Sequence, residues 1–296
     1  MNLKMMNNMN VISKANEAWK TGQHAEAIHI LETENELKQD DELIRVLIHF
    51  YVENKQFKAA IELIRDQPAK FIEQKNIFRD YFEALVQTKI FSLARKELFN
   101  SYEETTPDLK KYLNFLENQE NEYAIAFPKT VKENERDFYH LGDKKVIQQA
   151  AVIEKAYYLP WSNFKRAAKF NLVDPFLNQI TRVSILKDLV LMRLEEPVRF
   201  IWIDEKEYEV FPKDLLGTDE MWKKIKKAIE NYNDPVQSEM LQQQAELLYE
   251  LSYPFSKRVL PTSEEWLTAL KKQFFEGKDI KAFKELNQIM INLFEE

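Results

Sequence analysis

Four histidines, no cysteine and 49 carboxylates are the residues from which any chemistry in this chain must be built. Only His24 and His29 lie close together, and five positions set them well apart around a helix. A zinc pair wants ligands one turn apart on one face. The missing cysteine removes thiolate metal sites, disulfides and thiol nucleophiles together, and it suits a reducing compartment. A nucleophile would have to be Ser, Thr or Lys, and no Gly-x-Ser-x-Gly elbow occurs. Gly22, Gly142, Gly217 and Gly277 stand singly, so neither a Walker loop nor a dinucleotide fingerprint can be assembled. Carboxylate pairs such as Glu195-Glu196 read as solvated charge at this acid content. Lys223, Lys224, Lys226 and Lys227 surround Trp222 and Ile225, as a charged helix face flanks a buried stripe. The expectation is a non-catalytic protein with no cofactor and no metal.

Length and charge narrow the class further. The 296 residues are enough for about two domains with full cores. The formal charge of -7 argues against non-specific binding to nucleic acid or anionic membrane. Asparagines interrupt the first eight residues, which therefore lack the apolar core of a secretory signal. No run approaches the ~20 apolar residues needed to span a bilayer, since Leu189 to Met192 is broken at once by Arg193. A cytoplasmic location is expected.

What remains is binding, and the elements that must present a binding face are helices. Ala15, Ala18, Trp19, Gly22, Ala27, Ile28 and Leu31 have a spacing that returns. Shifted by 33 residues, Gly22, His24, Ala27, Ile28 and Leu31 fall on Lys55, Phe57, Ala60, Ile61 and Ile64; 34 more carry Phe57, Ala60 and Ile64 onto Phe91, Ala94 and Leu98. Helical periodicity predicts pairs at about 11–20 and 24–34, then a helix capped by Asp40 and Asp41 that carries Leu43, Val46, Leu47, Phe50 and Tyr51, with its partner at 57–65 ending at Pro68, then 70–87 and 91–100. Thr106, Pro107 and Asp108 start a further helix whose Leu109, Tyr112, Leu113 and Leu116 would cover the end of the stack, with Pro128 closing it.

On these residues the chain, over roughly 9–101, resembles the tetratricopeptide repeat family. Ala27, Ala60 and Ala94 stand at that family's close helix crossing and Gly22 at its turn. Lys55 and Lys89 replace the turn glycine in the second and third units. The resemblance implies an α-solenoid in which the first helix of each pair lines a concave groove that holds an extended or helical peptide. Carried over position by position, the groove residues are Asn16 and Lys20, Arg45 and His49, and Arg79 and Glu83. Arg45 and Arg79 together would suit carboxylates. Members that clamp a C-terminal carboxylate carry lysine where this chain has Ile12.

The second half leaves the 34-residue register. Polar residues 129–140 read as a linker between a repeat domain at 1–128 and a helical domain at 141–296. In the latter, a helix from Asp174 to Glu195 carries apolar residues over more than half its circumference, which predicts burial on several sides. Pro197 and Pro212 bracket a hairpin near 198–211, with Phe200 and Trp202 on one face and Asp204 to Glu207 at the turn. Helices follow at about 219–231 and 235–251, then Tyr253-Pro254-Phe255. A final pair repeats the opening spacing through Gly277, Ala282, Phe283 and Leu286. The long helix, the hairpin ending at Phe211-Pro212 and the Tyr-Pro-Phe turn are similar to a group of tetratricopeptide proteins from Firmicutes without assigned catalytic residues. The expected function is a protein or peptide adaptor working through the repeat groove. The other reading is a nucleic-acid binder, with 174–211 as a winged-helix-like helix and wing; Asp204, Glu205, Glu207 and Glu209 in the wing argue against it.

Overall fold

The structure, a computed structural model, describes residues 3–38, 40–65, 75–102, 106–217, 219–231 and 234–295. It is mainly helical with one two-stranded sheet. Its contacts divide into two compact units, Met1–Pro128 with Tyr157–Trp161, and Lys129–Ala156 with Ser162–Glu296. Among the described residues, no helix is long and apolar enough to cross a membrane.

Unit one begins with α1 (Leu3–Lys20), α2 (His24–Lys38), α3 (Asp41–Glu53), α4 (Phe57–Arg65), α5 (Lys75–Gln87) and α6 (Phe91–Ser101). Each helix packs on the next, and the odd-numbered helices also pack on one another, α1 on α3 and α3 on α5. Ala27, Ala60 and Ala94 are each 0% exposed, so the same small side chain is sealed in three successive hairpins. The three hairpin turns share one backbone device. Gly22, Lys55 and Lys89 are all left-handed, at φ 80°, 60° and 68°. Around each, two amides reach back to the helix end: Gly22 and Gln23 to Trp19 and Ala18, Lys55 and Gln56 to Val52 and Tyr51, Lys89 and Ile90 to Val86 and Leu85. That is the Schellman arrangement, which satisfies carbonyls a helix end would otherwise leave open. Pro68 and the expected helix start at Lys70 lie outside the described residues.

The next helix, α7 (Pro107–Ala126), starts as its sequence requires, with the Thr106 hydroxyl accepting from the Leu109 amide at 3.1 Å. Leu109 and Leu116 join the core of unit one. Residues 129–140 are not a linker, as their polarity suggested. Pro128 sits at the first position of α8 (Pro128–Tyr139), which buries Val131 and Phe138. A proline there sacrifices no helical hydrogen bond, so it ends one helix and begins another. Further along, Tyr157–Trp161 belongs to unit one. The Ser92 amide donates to the Tyr157 carbonyl at 3.1 Å, and Lys96 Nζ donates to the Tyr157 hydroxyl at 3.2 Å. The Arg95 guanidinium lies 5.2 Å from the Trp161 ring and donates to the Glu120 carboxylate at 3.2 Å.

In unit two, α9 (Val146–Ala156) and α10 (Trp161–Asn171), whose first residue belongs to unit one, precede α11 (Gln179–Leu191). This last helix is the enclosed one, but it is shorter than its apolar run. Asp174 makes a turn by accepting the Phe176 amide, and Asn178 caps the helix through the Thr181 amide at 2.9 Å. Val183, Ile185, Leu186, Leu189 and Val190 are buried, as are Arg182 and Asp188. Arg182 donates to the carbonyls of Asp174 and Leu177 at 2.7 and 2.6 Å and to Gln179 Oε1 at 2.8 Å, tying the turn before α11 to its first residues.

The hairpin joins β1 (Val198–Ile201) antiparallel to β2 (Glu207–Val210), with Val198 opposite Val210 and Ile201 opposite Glu207. No glycine serves its turn; Glu205 takes the left-handed conformation instead, at φ 59°. Phe200 is buried in the hairpin's inner face. Trp202 Nε1 donates to the Ser252 carbonyl at 3.0 Å, and Trp202 and Tyr208 pack their rings on Phe255. The hairpin is thus held by the Tyr253-Pro254-Phe255 turn, since two strands alone are marginal.

The remaining elements are α12 (Glu220–Glu230), α13 (Pro235–Ser252), α14 (Ser256–Val259), α15 (Ser263–Glu276) and α16 (Lys284–Glu295). Ile225, Leu248, Trp266, Leu270 and Phe283 share their core. The last two helices do not repeat the opening hairpin. Gly277 is left-handed like Gly22, but Lys281–Phe283 forms a 3-10 turn and α16 starts only at Lys284. Ala282 is half-buried where Ala27 is sealed, and α16 packs on α13.

Candidate functional site

The odd-numbered helices of unit one carry the six expected groove residues. On α1, Asn16 and Lys20 line a shallow cavity of about 760 Å³ with Ile12, Ser13, Glu17 and, from α3, Glu42. Their spacing of four residues places them one above the other on one helix face. Lys20 is exposed and Asn16 half-buried, so this end of the face is open to a ligand.

On α3, Arg45 and His49 are likewise one turn apart, and both are half-buried. The Arg45 Nε is sealed from solvent with no hydrogen-bond partner among the described residues. His49 is engaged: its Nδ1 lies 2.9 Å from Asp80 Oδ2. The other oxygen of Asp80 accepts from Arg79 Nε and Nη2 at 3.3 and 3.2 Å. Asp80 is 5% exposed, His49 and Arg79 far more so. A buried carboxylate is tolerable only when paired and hydrogen-bonded, and the Arg79 guanidinium and the His49 ring supply that. A carboxylate can only accept, so Nδ1 of His49 carries the proton and Nε2 is left out of this bond.

The structure therefore joins His49 and Arg79 through a residue that sequence reasoning missed. The signal was present: Asp80 interrupts the apolar run Ile77, Phe78, Tyr81, Phe82 on the inner face of α5. An acid in such a stripe needs a partner, but nothing local says which. Arg79 and Glu83, one turn apart, are both exposed. Around the face, Lys20, Arg45 and Arg79 are met by Glu17, Glu42, Asp80 and Glu83. Its charge is of mixed sign, so the carboxylate preference expected of Arg45 with Arg79 is tempered by Asp80.

Among the described residues, no group of three or more His, Asp or Glu side chains is placed to hold a metal ion. Comparisons with protein-family models, with curated proteins and with solved structures find no match to this chain.

Proposed function

We propose that residues 1–128 are an α-solenoid of tetratricopeptide-like hairpins and that the protein is a non-catalytic, cytoplasmic adaptor. Its ligand is a protein or peptide segment laid along α1, α3 and α5. The observation that carries this reading is the recurrence, at 33 and 34 residues, of a sealed alanine and a left-handed turn in three successive hairpins. Stacked units of this kind place their first helices side by side and make an extended face. The polar residues on that face, Asn16, Lys20, Arg45, His49, Arg79 and Glu83, are of mixed sign, which favours reading a pattern of side chains over attracting a single charge.

Affinity capture from the native host, comparing the wild type with an Arg45→Glu, Arg79→Glu double variant, tests the assignment. Loss of the captured partner from the double variant is expected. An identical set of partners on both proteins would place binding elsewhere.

A further inference from the structure

Unit two holds a cavity of about 1350 Å³ that the repeat face does not explain. It is larger than the ~300–1,000 Å³ of drug-sized pockets, so it has room for several side chains of a peptide. Val190, Met221 and Tyr249 are its buried floor, and the half-buried Trp222, Tyr253 and Phe255 are its aromatic walls. Leu191 and Leu216 stand on the rim 50% and 44% exposed, so the apolar lining continues onto the edge of the cavity. The walls are held firmly. Asp219 caps α12 through the Met221 and Trp222 amides, both at 3.1 Å, and accepts the Tyr249 hydroxyl at 2.7 Å.

The charges around the cavity do not cancel. Lys187 is tied to Glu250 and lies over the Tyr253 ring, and Arg258 stacks on Phe255 and Tyr208. Glu220 is answered by Lys223 at 3.2 Å. Asp214 and Glu246 are exposed, and in all the lining holds five carboxylates, Asp214, Asp219, Glu220, Glu246 and Glu250, against three cations, Lys187, Lys257 and Arg258, so it is acidic on balance. The lysines further along α12 do not line the cavity.

We propose that this cleft docks a partner segment that is apolar on one side and basic on the other, an amphipathic peptide of leucine-like and lysine or arginine side chains. The apolar side chains would enter between Trp222 and Phe255 and cover Leu191 and Leu216. The basic ones would meet Asp214 and Glu246, with the aromatic walls adding cation–π attraction. The net negative charge of the whole chain would speed encounter with such a partner.

The test uses the full chain and two labelled amphipathic peptides of about four helical turns, identical in their leucines and differing only in lysine against glutamate. Fluorescence anisotropy at low salt should show the lysine peptide binding about tenfold more tightly or better. Asp214→Lys with Glu246→Lys should reverse that order. Leu191→Asp with Leu216→Asp, both surface positions, should weaken binding about tenfold with an unchanged circular dichroism spectrum. Arg45→Glu with Arg79→Glu should leave it as it was, which separates this cleft from the repeat face. Equal binding of the two peptides, indifference to the rim charges, or loss of binding in the Arg45, Arg79 variant overturns the proposal. Self-association of the wild type that disappears in the leucine variant would overturn it in favour of a second copy of the chain.

Discussion

Lys55 and Lys89 hold a backbone conformation that costs a residue with a Cβ about 1–2 kcal/mol. They hold it because each turn must close the same way for neighbouring hairpins to stack, and the two capping bonds offset the strain. Replacing either with glycine removes the steric cost but loosens the unfolded chain, so the net gain is smaller. Lys55→Gly and Lys89→Gly should each stabilise the protein by about 0.5–1 kcal/mol, read as an upward shift of the urea midpoint. Glu97 on α6 is a second local strain. Burial pushes its carboxyl above the ordinary glutamate range, against a hydrogen bond from Asn100 and the nearby Lys96, and its Oε2 has no hydrogen-bond partner among the described residues. The native state thus holds this proton more tightly than the unfolded chain does. The stability it contributes is full below the ordinary glutamate pKa and is lost as pH rises through the raised one. Glu97→Gln, which mimics the protonated form, should therefore be the more stable protein at neutral pH by about 1 kcal/mol. The difference should shrink as the urea titration is repeated toward pH 4.

At the scale of elements, α11 is held by hydrogen bonds as much as by its apolar stripe. Burial lowers the Arg182 pKa to about 10, opposed by Asp174, so the side chain remains a cation at neutral pH. Its guanidinium spreads that charge over the carbonyls of the preceding turn and Gln179. Arg182→Ala would leave those buried acceptors open, and a loss of about 3 kcal/mol is expected in chemical denaturation. Arg182→Lys should recover only part of it, because an ammonium lacks the planar fork that reaches two carbonyls and an amide oxygen at once. The hairpin depends on its neighbour in the same way. Its register follows from the alternation of Val198, Phe200 and Trp202, but its stability comes from the Ser252 carbonyl and the Phe255 ring.

Over the whole molecule, two units with separate cores need not unfold together. Unit one includes Tyr157–Trp161, which lies 29 residues beyond its main span. Glu120 accepts from Arg95 and from the Trp161 amide, and burial still pushes its carboxyl above the usual range. Trp161→Ala keeps that amide but removes the ring beside the Arg95 guanidinium, so it should lower the calorimetric transition of unit one and leave that of unit two in place. Trp266→Ala, at the centre of the second core, should do the reverse and cost about 3–5 kcal/mol. What the sequence alone determined was the class and most of the elements: a mainly helical chain with one hairpin between Pro197 and Pro212. Those features are legible because periodicity, caps such as Thr106 and breakers such as Pro128 act within a few residues. The tertiary structure decided the rest. Residues 129–140 read as a linker because their few apolar side chains find partners only in the folded unit. The ends of α11 were misread because its apolar run continues through a turn that Asp174 and Arg182 hold together. Asp80 pairs with His49 across 31 residues and Arg95 with Glu120 across 25, and in a chain this rich in charge such residues look like solvated surface. A charge is identified as buried only when its partner and its burial are both known, and neither is a local property of the sequence.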